Sequence, residues 1–138
     1  MIVVIEGADA TGKSTLCKNL ARAFGGIVYN TPPTHMKEKR SLIDLFATPE
    51  ESFQFYYEGI KIAVNEIRQL KKAYEWIFVD RYWISTAATH LGMGVDVSVE
   101  NLAKLDCADL TILLTVATET QHIRLGKRGM TPGDKKVL

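Results

Sequence analysis

Long hydrophobic runs are missing from this chain, and so is an excess of charge of either sign. The longest apolar stretches, Met1–Ile5 and Leu110–Val116, fall well short of the roughly 20 residues that a membrane helix needs. With 17 basic and 16 acidic residues the net charge is +1, which excludes the one-sided basic field of a nucleic-acid binder or a polybasic membrane anchor. No nucleic-acid polymer and no membrane is expected as a partner, and an anionic partner must be held by a local site. Cysteine is scarce: Cys17 and Cys107 stand alone, in neither CxxC nor metal-ligand spacing, and no secretory leader pattern opens the chain. A reducing cytoplasm is the expectation. Internal repeats, low-complexity tracts and linkers are also absent, so 138 residues at 46% hydrophobic content read as one domain with one sizeable core.

What is present alternates between strand and helix. Met1–Ile5 is a short run rich in β-branched residues, suited to a strand buried on both faces of a parallel sheet. Glycines follow, then Leu16, Leu20 and Phe24 at a spacing of four line one helical face until Gly25-Gly26 stops it. Ile27–Tyr29 gives a second strand and completes a βαβ unit. The segment Asn30-Thr31-Pro32-Pro33-Thr34 reads as a loop, because its prolines remove donors and bias their neighbours to extended backbone. Thr48-Pro49-Glu50-Glu51 is a helix start with a capping box, and Phe53, Tyr57, Ile60, Val64 and Ile67 form one apolar stripe running to about Lys72. Trp76–Val79 is a third strand, Ile84–Leu91 a helix broken by Gly92-Met93-Gly94, and Ser98–Leu105 a short helix. Leu110–Val116 is a fourth strand. Thr118 with Gln121 reads as a second capping box, opening a helix that Gly129 ends. The fold class is α/β: a parallel sheet with strands near 2–6, 27–30, 76–80 and 110–116, flanked by helices.

Two constellations carry chemistry. Gly7-Ala8-Asp9-Ala10-Thr11-Gly12-Lys13-Ser14 fits GxxxxGK[ST], after a buried strand and before a helix, the context the motif requires. Backbone N–H groups of such a loop converge on phosphates, the helix N-terminus adds positive dipole, Lys13 adds a mobile charge and Ser14 offers a Mg²⁺ ligand. Residues Gly7 to Thr15 are therefore the expected ATP-binding loop. The second is Asp80-Arg81, delivered to the carboxyl end of a strand, where open α/β sheets hold their ligands. There a carboxylate can hold Mg²⁺, and a guanidinium can bridge two phosphates. A structural ion pair at a strand end would use the same two residues.

Ile5-Glu6-Gly7-Ala8-Asp9-Ala10-Thr11-Gly12-Lys13-Ser14-Thr15 resembles the opening of the thymidylate kinase family. Asp80-Arg81-Tyr82 with Ser85 resembles its DR[YFH]…S segment, and Asp109–Leu114 with Arg124, Arg128 and Gly129 resembles the strand and helix leading into its lid. The likeness spans nearly the whole chain and implies a P-loop kinase that moves the γ-phosphoryl group of ATP·Mg²⁺ onto a (deoxy)nucleoside monophosphate, with dTMP the leading acceptor. It also implies roles. Lys13, Asp80, Arg81, Arg124 and Arg128 would be catalytic, with Ser14 and Asp80 on the metal. Asp9 would hold the acceptor sugar, Arg40 its phosphate and Phe55 its base, with Tyr56, Arg81, Ser85, Thr89 and His90 completing the acceptor side. Bland readings stand beside these: Asp9 suits a turn, Arg40 lies in the mixed-charge run Lys37–Arg40, and Phe55 and Tyr56 flank an apolar stripe. His90 suits a surface or capping position, and Arg124 and Arg128 a solvated helix end.

The chain departs from the family pattern in three places. In F-x-A-x-R the arginine becomes Gly59, and in S-x-x-A-Y-Q the last two residues become Thr89 and His90. The P-loop also carries Ala10 and Thr11 rather than an arginine, which turns attention to Arg124, Arg128 and the closing segment Gly129–Lys136 as the source of lid charge, with Lys127, Lys135 and Lys136 nearby. Against the family, a fifth strand and closing helix are missing, so residues 1–138 are expected to be one kinase domain, C-terminally incomplete, with its lid at about 124–137. The family is commonly a homodimer. Two other functions remain open from sequence: a kinase of a nucleoside or another small metabolite, and a nucleotide-binding switch without transferase activity.

Overall fold

The computed structural model describes residues 1–129. Its strands are β1 (Ile2–Glu6), β2 (Ile27–Asn30), β3 (Ile77–Asp80) and β4 (Leu110–Leu113), all parallel, in the order β2-β3-β1-β4. The helices are α1 (Lys13–Phe24), α2 (Lys37–Phe46), α3 (Pro49–Leu70), α4 (Trp83–Gly92), α5 (Val99–Ala103) and α6 (Thr118–Arg128), and a 3₁₀ turn covers Thr34–Met36. Every residue of β1 is buried. Successive side chains of a strand point to opposite faces, and β1 sorts accordingly. Ile2 and Val4 join Ile77 and Val79 under Ile60, Ala63, Val64 and Ile67 of α3, while Val3 and Ile5 join Phe78 and Cys17 under α1. Each such apolar side chain removed from water is worth about 1.5–3 kcal/mol, and together they fix the sheet between two helical layers. No helix among the described residues is long and apolar enough to cross a membrane.

The strand at Ile2–Glu6, the αL glycine closing α1 at Gly25 and the capping box of α3 agree with expectation. Glu51 N donates to Thr48 Oγ1 and Thr48 N to Glu51 Oε1, each at 3.2 Å. Elsewhere boundaries move. The third strand begins at Ile77, the fourth ends at Leu113, α3 stops at Leu70, and α4 runs through Gly92. Helix α2 was not expected; the mixed-charge run Lys37–Arg40 is its first turn. The second capping box does not form, because α6 already begins at Thr118 with Ala117 as its N-cap, and the Gln121 amide is used elsewhere. Among the described residues the sheet has four strands. Pro132, Gly133, Lys135 and Lys136 of the expected closing segment lie outside them.

Gly59 is buried within α3 because another segment presses on it. A Cβ built there would lie 3.2 Å from Pro32 Cβ and 3.7 Å from Pro33 Cδ. The loop after β2 thus occupies the space above the helix at the position where the family pattern has an arginine. Gly59→Arg, which restores that pattern in sequence, is expected to lower stability by about 1–3 kcal/mol through overpacking. Denaturant titration of the two proteins checks this; an unchanged midpoint would show that the prolines move aside.

Candidate functional site

Register assembles the site. Ile5 of β1 pairs with Asp80 of β3, and Asp80 pairs in turn with Asn30 of β2, so three strand tips end abreast. The chain leaves β1 through Gly7, whose φ of 152° and position against Leu114 O, where a Cβ would approach to 2.5 Å, admit only glycine. The loop then turns into α1, whose N-cap, Gly12, is left-handed and provides no side-chain cap. With no acidic residue in the first turn either, the helix N-terminus keeps its N–H groups and positive dipole for an anion. Lys13 is 6% exposed and folds back so that Nζ donates to Ala8 O at 2.5 Å and lies 3.4 Å from Thr11 Oγ1. Burial lowers its pKa, opposed by the nearby charges of Asp80 and Glu6.

Arg81 follows the tip of β3 with a left-handed φ of 67°, and Ala10 in the loop has 61°. Such conformations cost a non-glycine residue on the order of 1–3 kcal/mol and are held only where neighbours over-determine them. For Arg81 the neighbours are plain: its N–H donates to Ile5 O at 3.0 Å, its carbonyl accepts from Thr31 Oγ1 at 2.7 Å, and its guanidinium pairs with the Asp9 carboxylate. Asp80, half-buried beside it, has its pKa raised by burial, with Lys13 and Lys18 opposing.

Two clefts open at the carboxyl edge of the sheet. One, of about 310 Å³, is lined by Asn30–Thr34, Lys37, Arg40, Asp80 and Arg81. The other, of about 620 Å³, lies across α1 and is lined by loop residues with Thr15, Asn19, Leu114, Arg124 and Arg128. The structure therefore brings Arg40, Asp80 and Arg81 to one cleft, and Arg124 and Arg128 together with Ala10, Thr11, Gly12 and Thr15 to the other. Arg124 Nη1 donates to Ala10 O at 3.1 Å. Ser14 and Thr15 are exposed at the helix start.

Other expected acceptor residues line neither cleft. Phe55 is 5% exposed, with Lys39 Nζ 5.9 Å from its ring centroid. Ser85 is turned to Glu6, donating from N at 3.1 Å and from Oγ at 2.6 Å. Thr89 sits half-buried on α4. His90, rather than lying at the surface or capping a helix, is 1% exposed between Phe53 and Tyr56; Nδ1 lies 2.7 Å from Thr86 O and Nε2 3.0 Å from Ser52 Oγ. Two residues of the site were missed in the sequence. Glu6 is a carboxylate 2% exposed at the end of an otherwise apolar strand, a placement that itself signals a partner, and its oxygens fix the first turn of α4. Gln121 donates to Asp9 O at 2.8 Å and ties α6 to the loop.

The donor set suits a hard cation held largely by a ligand's own oxygens. The Ser14 hydroxyl and Asp80 carboxyl are oxygen groups of the kind such a cation takes, and no cluster of three or more His, Cys, Asp or Glu exists among the described residues to cage an ion by itself.

A parallel sheet whose central strand empties into a GK[ST] loop at a bare helix N-terminus defines a P-loop nucleotide-binding protein. A family profile described as thymidylate kinase matches residues 5–137. Among curated relatives, the thymidylate kinase of Akkermansia muciniphila is 28% identical over 143 residues, covering 93% of this chain and 68% of the relative. The cytidylate kinase of Sulfurisphaera tokodaii is 27% identical over 141 residues, covering 99% of this chain and 67% of the relative. Among solved structures, thymidylate kinase from Ehrlichia chaffeensis superposes with a TM-score of 0.67 at 18% identity, over 92% of this chain and 78% of that one. Deoxyadenosine kinase from M. mycoides gives 0.67 at 19%, over 99% and 81%; at such identities the likeness speaks for the fold alone. The chain belongs to the thymidylate kinase family and is an ATP-dependent phosphotransferase.

Asp80 places a cost on the fold. Because its folded pKa lies above the free value of 3.8, the folded state gains from its proton below that value and loses the gain as pH rises through the raised one. At neutral pH the ionised group is destabilising. Asp80→Asn is therefore expected to raise the melting temperature at pH 7, less so near pH 4, while turnover falls by about 10²-fold or more. Thermal melts across that range, beside an ADP-release assay, check both halves; a lower melting temperature at pH 7 contradicts the burial argument.

Proposed function

We propose that this protein transfers the γ-phosphoryl group of ATP to a deoxynucleoside monophosphate, with dTMP the leading acceptor. The observation that carries this reading is a pair of clefts, one lined by P-loop residues and the other bordered by Lys37, Arg40 and Arg81, the last of which pairs with Asp9 of the loop. Three cations around one small cleft suit an acceptor that is itself a phosphate, and they disfavour an uncharged nucleoside. An acceptor phosphate oxygen forms the new bond to the γ-phosphorus as the bond from that phosphorus to the β–γ bridging oxygen breaks, and ADP leaves with the electron pair. Lys13 and the loop amides hold the donor phosphates, and Arg81 shifts from Asp9 to span donor and acceptor. Arg124 and Arg128 line the donor side, where their charge offsets that of the transferred group. Ser14 and Asp80 would hold Mg²⁺, which would supply charge neutralisation for the phosphates.

Acceptor identity is the open half of the proposal. Gly59 gives no base-reading donor, its overlying space is filled by Pro32, and His90 is engaged with Ser52 and Thr86. These features support looser base discrimination than an arginine-bearing site would have, and the cytidylate kinase relative is consistent with that breadth. ATP·Mg²⁺ consumption with dTMP, dUMP, dCMP, dGMP and dAMP in parallel tests it. Turnover with dTMP and with at least one other pyrimidine monophosphate is expected; turnover with none overturns the monophosphate-kinase reading. Arg81→Ala is expected to cut kcat by about 10²–10³-fold while the ATP dissociation constant moves only a few-fold, since its charge matters most as the transition state forms. Equal losses in both contradict that role.

A further inference from the structure

Arg40 does not reach its cleft as a free side chain. It leaves α2 with 45% of its side chain exposed, and Nε donates to Tyr56 Oη of α3 at 3.2 Å. Tyr56 Oη donates in turn to Asp44 Oδ1 at 2.8 Å, and Asp44 Oδ2 lies 3.7 Å from Arg40 Nε. The guanidinium carbon stands 6.0 Å from the Tyr56 ring centroid, within cation–π range. Both hydrogen-bonding roles of the one hydroxyl are used, in a single direction, from guanidinium to phenol to carboxylate. Asp44 carries only 18% side-chain exposure, so it is a shielded acceptor rather than a loose surface charge. The hydrogen bond and the ion pair both engage Nε.

We infer that Tyr56 and Asp44 are positioning residues for Arg40: they hold the guanidinium by Nε so that its two Nη groups face the cleft as a ready fork for the acceptor's phosphate. The inference rests on the proposed role of Arg40 as an acceptor-phosphate residue and adds how that role is prepared. A free arginine loses about 2 kcal/mol of rotamer entropy when it is fixed on a ligand. Anchoring Nε beforehand shifts part of that loss into folding, so that more of the fork's bidentate attraction is realised on binding. The arrangement also limits what Asp44 takes away. A carboxylate on the Nη edge would compete with phosphate, whereas one relayed through a phenol to Nε leaves that edge available. Burial pushes the Tyr56 phenol up to about 12, so it stays a donor to Asp44 throughout the usable assay range. Tyr56 thus serves the acceptor at one remove.

The test is a double-mutant cycle on the full chain, with the monophosphate that ranks first in the acceptor panel. Tyr56→Phe keeps the ring and every charge and removes only the relay. It is expected to raise acceptor KM about five- to twentyfold, with kcat and the KM for ATP within about twofold. Arg40→Ala is expected to raise acceptor KM at least as much, and Tyr56→Phe added to Arg40→Ala is expected to do nothing more, because there is no guanidinium left to position. A full Tyr56→Phe effect in the Arg40→Ala background, or none in the wild-type background, overturns the positioning role while leaving Arg40 on the acceptor. An unchanged acceptor KM for Arg40→Ala itself overturns the reading of Arg40, and the inference with it. Should melts show Tyr56→Phe unfolded, Asp44→Ala on the half-exposed α2 face takes its place, with the same cycle and the same outcomes.

Discussion

The pairing of Ile5 with Asp80 is the contact on which the site depends. In a parallel ladder a slip of one residue would turn every side chain of a strand to the opposite face, and here both faces of β1 and β3 are buried, so the register is fixed by two helical layers at once. With Ile5 beside Asp80, the residues that follow have no choice of neighbourhood. Gly7 and Arg81 must leave adjacent strands side by side, and the Arg81 N–H extends the ladder by one more bond to Ile5 O. The nearness of the phosphate loop to Arg81 is thus a property of the core, set by buried Ile, Val and Phe side chains.

That core ends in groups a core normally rejects. Glu6, Lys13 and Asp80 stand within or against the buried layer at the carboxyl edge of the sheet. Each is met by a different device. Glu6 is satisfied by the two donors of Ser85, which also fastens the start of α4, so its charge stabilises a helix end. Lys13 borrows the carbonyl of Ala8, a contact that an entering phosphate can replace. For Asp80 the charges of Lys13 and Lys18 offset part of its burial. The group least compensated by the protein is the one proposed to face the metal, and strain in the backbone collects at the same edge, in Ala10 and Arg81.

Sequence alone was sufficient wherever a pattern is local or periodic. The buried strand Ile2–Glu6, the phosphate loop, the tip at Asp80-Arg81 and the capping box at Thr48 each follow from a few adjacent residues. Helix α2 escaped because its large apolar residues do not face the core: Leu42, Leu45 and Phe46 are 60%, 56% and 79% exposed, so no inward stripe marks it. Gln121 misled for the opposite reason, since its spacing from Thr118 suits a local cap while its amide is taken by a carbonyl 112 residues away. His90 and Ser85 were assigned to the acceptor by family order, yet each is engaged by a partner from a distant segment, Ser52 and Glu6, that no local pattern reveals. Asp44 was silent in sequence because a carboxylate four residues after an arginine is ordinary on a helix; only the intervening phenol gives it meaning.

The grip of α6 on the phosphate loop has a directional effect. Gln121 and Arg124 draw on the carbonyl oxygens of Asp9 and Ala10, two successive peptide units. In a trans peptide the C=O and the N–H that follows it point opposite ways, so pulling both oxygens toward one helix turns the amide hydrogens of Ala10 and Thr11 to the far side. The polarity of the loop is thereby set by a jig outside it, and the amides are already aligned when a triphosphate arrives. Any swing of α6 would release those two peptide planes together, which couples the attitude of that helix to the strength with which the loop attracts an anion.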